Sequence, residues 1–218
     1  MVELLPLSEI EPQAVEALLD AAFGSDRFGR TAYRIREGMD AVPCLSFAAV
    51  EDGALVGTIQ CWPVAHRDAQ GTATPLVMVG PVAVRPDVQR GGHGRALMDR
   101  MLESARTMAD GALMMIGDPE YYGRFFGFTA DATGAWDLPG PYEKHRLLAL
   151  AVNGHDLPVA AGMIGPRCQI ASGGPVIPPH AAAILLAHAA FDLEPLEMRQ
   201  RFAGRQILVV GADRAVEQ

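Results

Sequence analysis

The turn Gln89-Arg90-Gly91-Gly92-His93-Gly94 carries the residue types that most directly imply chemistry. It sits between an apolar, β-branched run, Leu76 to Val84, and an amphipathic run that follows at once. The first amides of a helix lack intrahelical partners and carry the positive end of the helix dipole. Glycine lets the backbone approach a phosphate closely and adopt positive φ. Residues 90 to 95 are therefore expected to hold a phosphate or pyrophosphate. The plain alternative is a tight strand-to-helix turn with no ligand. Three glycines within four residues, Gly91, Gly92 and Gly94, weigh against it. A dinucleotide fingerprint fails at the last position of Gly92-His93-Gly94-Arg95-Ala96-Leu97. No Gly-Lys-Ser/Thr triplet of a nucleoside-triphosphate loop occurs in the chain.

What the turn does satisfy is Gln/Arg-x-x-Gly-x-Gly/Ala, through Gln89, Gly92 and Gly94. Here the chain resembles the GNAT superfamily of acyl-CoA-dependent N-acyltransferases. The resemblance implies that this loop cradles the pyrophosphate of coenzyme A, and that Val82, Ala83 and Val84 offer backbone groups to the pantetheine arm. His93 then sits on the rim, and Arg90 and Arg95 are placed to add positive charge. A second stretch, Gly117-Asp-Pro-Glu-Tyr-Tyr-Gly-Arg-Phe-Phe-Gly-Phe128, follows the apolar run Ala112 to Ile116. It is similar to the Tyr-x-x-Phe-Gly-Phe element of the family and to its YhbS-like branch, with one extra residue between Tyr122 and Gly127. The resemblance covers about residues 1 to 165. It implies an α/β fold with a mixed, mostly antiparallel central sheet, splayed central strands and flanking helices.

The implied reaction moves an acyl group, acetyl by default, from acyl-CoA to a small-molecule or peptide amine. A neutral amine must attack, and the departing thiolate leaves better if it gains a proton. Positioning and acid–base groups share the rate, the latter contributing roughly 10²–10⁴-fold. By resemblance Tyr122 is the first candidate for that acid and Tyr121 the second. Adjacent helix residues point about 100° apart, so one of the two should be packing with Phe125, Phe126 and Phe128. The family commonly carries a glutamate on the central strand, but Leu76 to Val84 holds no carboxylate. Asp118, Glu120, Glu37, His66 and His145 are bases by type alone, as is a relayed water. A GNAT-fold protein that binds acyl-CoA without turnover is the rival reading.

These groups need elements to position them. Leu97, Met101, Ala105 and Met108, widened by Met98, Leu102 and Ala109, mark the buried stripe of a helix after the turn. Val2 to Leu7 reads as a strand, and Ser8 and Glu11 as a capping box for a helix entered through Pro12 and closed by Gly24. A weak helix spans Arg30 to Glu37; in the family this region lines the acceptor site. Cys44 to Val50 and Ala54 to Trp62 flank the hairpin signal Asp52-Gly53. His66 to Thr74 reads as a loop, and Phe128 to Trp136 and His145 to Val152 as strands. From residue 166 to 218 the composition changes to a Gly/Pro-rich linker, two helices and a strand. This extension should pack on its own chain or on a partner, for example as a homodimer.

Composition narrows the partners. The chain has 218 residues, 50% hydrophobic, with a net charge of −8, which disfavours nucleic acid and anionic membrane. Cys44, Cys61 and Cys168 are odd in number and widely spaced, as in a cytoplasmic protein without a bound metal. The N-terminus lacks a signal-peptide pattern, and no apolar run reaches membrane-spanning length.

Overall fold

The computed structural model describes residues 2–167, apart from the side chain of Arg90. The expectations for the extension and for Cys168 fall outside the described residues. Strands β1 (Val2–Pro6), β2 (Phe47–Glu51), β3 (Ala54–Asp68), β4 (Ala73–Val84), β5 (Ala112–Ile116) and β7 (Leu147–Leu150) form one sheet in the order β1-β2-β3-β4-β5-β7. The ladder is antiparallel at every step except β4–β5. Two short strands, β6 (Trp136–Asp137) and β8 (Gly162–Pro166), pair in parallel, and β8 also lies antiparallel along the second half of β3.

Helix α1 (Pro12–Phe23), helix α2 (Thr31–Ile35) and helix α3 (His93–Met108) cover the sheet, and helix α4 (Pro119–Phe126) follows β5. Alternation along β4 sorts the faces. Val77 and Val79 pack with Leu97, Met98, Met101 and Ala105 of α3. Leu76 and Met78 pack with Ile35 of α2 on the other side, while Ala83 meets Val15, Leu18 and Leu19 of α1. The α3 stripe keeps its four-residue step to the end. Ala109 is buried and Met108 is 55% exposed, so the expected three-residue step to Met108 is corrected.

Other expectations also change. Glu11, not Ser8, is the N-cap of α1, no side chain caps that helix, and Leu7–Glu9 forms its own 3-10 turn. The polar stretch expected as a loop is mostly strand, since β3 and β4 pair out to Arg67 and Ala73. Its tip is closed by Asp68 Oδ1, which accepts from the amides of Gln70 and Thr72. Polarity hid the strand because β8, far along the chain, buries His66 there. The expected strand from Phe128 to Trp136 reduces to one bridge at Thr129 and the short β6. Between them the chain turns, and the buried Thr133 hydroxyl donates to the Leu147 carbonyl at 2.6 Å.

Candidate active site

The two parallel strands share only a short ladder: Leu76, Val77 and Met78 pair with Ala112, Leu113 and Met114. Beyond Met78 the partners diverge. Val82, Ala83 and Val84 pair with Ile59, Thr58 and Gly57 of β3, while Met115 and Ile116 pair with Leu148 and Leu147 of β7. Among the described residues, the far half of β4 is therefore hydrogen-bonded along one edge only. This gap is the splay expected of the central strands. The β3–β4 register shifts between Ile59 and Cys61, opposite Gly80 and Pro81. The Gly80 carbonyl oxygen accepts from the indole of Trp62 at 2.9 Å.

Both strands end in turns that start helices, which is where open α/β sheets place ligands. After β4, a 3-10 segment (Pro86–Gly91) leads to Gly92, whose left-handed φ of 77° starts α3. No side chain caps α3, so its first amides are left for solvent or a ligand. Gln89, Gly91, Gly92 and Arg95 are exposed around this turn, and a side-chain carbon added at Gly94 would meet only Val84, at 3.5 Å. The His93 imidazole does not line the rim. It is 4% exposed, lies against Gly91 and points Nε2 at Glu51 Oε2 at 3.8 Å. Its backbone, not its ring, belongs to the turn. Arg95 reaches across to α4, its guanidinium 5.2 Å from the centre of the Phe125 ring.

After β5, Asp118 caps α4 by accepting from the Glu120 amide, and Pro119 takes the first helical position. The α4 pitch separates the two tyrosines. Tyr122 is half-buried against Phe126 and Phe128 and beside Gly117, whereas Tyr121 is exposed and meets the Tyr122 ring edge-on. Burial, with the field of Tyr121 and Asp118, pushes the Tyr122 phenol up to about 12. Gly127, in the left-handed region at φ 78°, closes the helix.

On the α1–α2 face lies a cavity of about 610 Å³, bounded by Glu16, Arg27, Phe28, Tyr33, Arg36, Glu37, Gln60 and Trp62 among others. Arg27 is buried in its wall and held by Glu16, by Asp20 at 2.8 Å and by the Tyr33 hydroxyl. The carboxylates and Tyr33 outweigh burial and raise its pKa further. Of the five bases considered by type, only Glu37 lines this cavity. Asp118 is engaged as a cap and Glu120 is exposed on α4. His145 is exposed beside Glu143 at 3.4 Å. His66 is buried under Trp136, their ring centres 5.4 Å apart. Arg27, Arg36, Gln60 and Trp62 were not singled out by the sequence, although Arg36 lies in the weak helix expected beside the acceptor site. The others come from a segment with no helical period or from inside a hairpin, and only the sheet brings the four together.

Residues 13–128 match the model of the Acetyltransferase (GNAT) family. The uncharacterized N-acetyltransferase YhbS of Escherichia coli K12 is 32% identical over 150 residues, spanning 66% of this chain and 87% of the relative. The solved structure of GNAT family N-acetyltransferase YhbS from Escherichia coli in complex with CoA aligns with a TM-score of 0.55 at 25% identity, over 77% of this chain and 89% of that one. A GNAT family acetyltransferase from Brucella melitensis in complex with acetyl-CoA aligns with a TM-score of 0.53 at 26% identity, over 76% and 95% of the two chains. Among the described residues no helix is long and apolar enough to cross a membrane, and no group of His, Cys, Asp or Glu is arranged to hold a metal. With its open β4 edge, uncapped glycine turn and these relatives, the chain belongs to the GNAT family of acetyltransferases.

Proposed function

We propose that the chain moves the acetyl group of acetyl-CoA directly to an amine held in the α1–α2 cavity. The observation that carries this reading is the parting of β4 from β5 between the uncapped glycine turn and Tyr122. The free edge of Val82, Ala83 and Val84 suits the amide groups of a pantetheine arm, since backbone donors and acceptors there need partners. The amides of Gly91 to Arg95, at the positive end of α3, suit a pyrophosphate. Gln89 and Arg95 flank the same turn, and the resemblance adds Arg90. The coenzyme supplies the acetyl group already activated as a thioester.

The protein's part is to place the reactants and handle protons. Glu37, on the cavity wall, takes the ammonium proton of the acceptor through water, because β4 carries no carboxylate. The Tyr122 hydroxyl stays protonated throughout the neutral range and acts as hydrogen-bond donor to the departing sulfur. Tyr121 is the second candidate for that role. Calorimetry with acetyl-CoA, followed by a thiol-release assay over an amine panel, tests the proposal. No acetyl-CoA binding by folded protein would reject it. Binding without thiol release on any amine would favour the rival reading of a GNAT-fold protein that binds acyl-CoA without turnover. The missing carboxylate on β4 is the observation behind that rival.

A further inference from the structure

We propose that the acceptor is an amine that also bears a carboxylate, and that Arg36 binds that carboxylate. The inference rests on the acyltransferase reading and adds the substrate class. Arg36 is 6% exposed in the cavity wall. Among the described residues no carboxylate pairs with it, because Glu16 and Asp20 are both taken up by Arg27. Glu37, its chain neighbour, is exposed and forms no ion pair with it. The polar neighbours of Arg36 are the Gly80 carbonyl oxygen at 3.4 Å and the Tyr33 hydroxyl. Burial lowers its pKa, yet an arginine keeps its proton near neutrality. A positive charge thus stands in a buried wall with no direct ion pair among the described residues, the field of Glu16 being opposed by that of Arg27, where buried charges are normally paired.

The geometry selects the anion. The guanidinium carbon lies 4.1 Å from the centre of the Tyr33 ring and 4.2 Å from that of Trp62. With aromatic rings packed against the group, and N–H donors turned to the Gly80 carbonyl and the Tyr33 hydroxyl, the rest of its N–H edge is what remains for a ligand. A fixed planar edge matches a carboxylate, which can accept two parallel hydrogen bonds. The remaining lining does not suit a dianionic phosphate. Arg27 is already neutralised, Arg34 donates to the Pro139 carbonyl at 3.2 Å, and Glu16 and Glu37 share the cavity. Gly80, which Arg36 touches, lies just beyond Met78, the last β4 residue paired with β5. A carboxylate on Arg36 therefore puts a nearby amine at the split between the strands. The cavity's size and the walls of Phe28, Tyr33 and Trp62 suit a small molecule with an apolar body, such as an amino acid.

The test uses matched amines on the full chain saturated with acetyl-CoA: phenylalanine and leucine, their carboxamides, and the corresponding aminophosphonates. Thiol release should favour the carboxylates by about 30-fold or more in kcat/KM, mostly through KM. Arg36→Gln should bring carboxylate and carboxamide within about 3-fold, and Arg36→Lys should restore part of the preference. A merely structural role would lower both members together. Tryptophan fluorescence, compared with Trp136→Phe so that the signal is that of Trp62 beside Arg36, gives a readout without turnover: CoA-saturated protein is titrated with N-acetylphenylalanine and its amide. Tighter binding of the acid, lost in Arg36→Gln, supports the assignment. Equal handling of the pair in both assays, preference for the phosphonate, or a preference that survives Arg36→Gln overturns it. Acetyl-CoA calorimetry on the same preparation reads the acyltransferase assignment separately.

Discussion

Replacing Tyr122 by phenylalanine removes one oxygen and leaves the ring that packs against Phe126, Phe128 and Tyr121. The phenol's pKa of about 12 sets what the hydroxyl does. A thiol titrates near ~8.5 in water, so complete transfer of the phenolic proton to a thiolate would run uphill by about 5 kcal/mol. Desolvation of the thiolate in the same site narrows that gap. The hydroxyl is therefore better described as a hydrogen-bond donor to a developing charge, worth about 1.5–3 kcal/mol. Tyr122→Phe should then lower kcat by roughly 10- to 100-fold with acetyl-CoA affinity within about 2-fold. Tyr121→Phe should change little, since that side chain points to solvent. The alkaline limb of wild-type kcat should stay flat past the ordinary tyrosine value, because the folded phenol ionises only near 12. Stability carries the same sign. The folded pKa lies above the unfolded 10, so stability is intact below 10 and falls as pH rises from 10 toward 12. Steady-state and single-turnover assays with one competent amine measure the kinetic effects. Wild-type turnover in both phenylalanine variants, with chemistry limiting, would refute the role of either hydroxyl.

Gly94→Ala should leave the melting temperature nearly unchanged, since the added carbon meets only Val84 at 3.5 Å, yet calorimetry should show a clear loss of acetyl-CoA affinity. Gly92→Val should lose affinity and also about 1–2 kcal/mol of stability, from the strain of a side chain at positive φ; denaturant titration separates the two. Arg27→Met should cost about 2–3 kcal/mol in urea unfolding, below the range for fully buried pairs because Glu16 and Asp20 are half-exposed and rehydrate. His66 has a pKa lowered by burial, so its neutral form favours folding above the unfolded 6.5, and stability should fall as pH drops below that value. Thermal melts of wild type and His66→Gln from neutral to mildly acidic pH check this, and equal slopes would count against it.

Local pattern determined much of this protein. The run from Leu76 to Val84, the glycine turn and the stripe from Leu97 to Ala109 reappear as β4, the uncapped start of α3 and its buried face. The β5–α4 stretch also reappears, because period-two and period-3.6 burial and the turn chemistry of Asp118-Pro119 and Gly127 are written in neighbouring residues. Pairing between distant segments decided the rest. The end of β3, His66 to Asp68, looks polar alone and becomes a strand through β8. His93 suits a rim by its place in a loop, but the fold turns its ring toward Glu51. Tyr121 and Tyr122 are equivalent letters until α4 docks and buries one of them. Arg36 is a charge in a weak helix until Tyr33, Trp62 and Gly80 close around it from three separate parts of the chain. Periodicity records which face of an element is buried; it does not record which other element does the burying, and the α1–α2 cavity is built from that second fact.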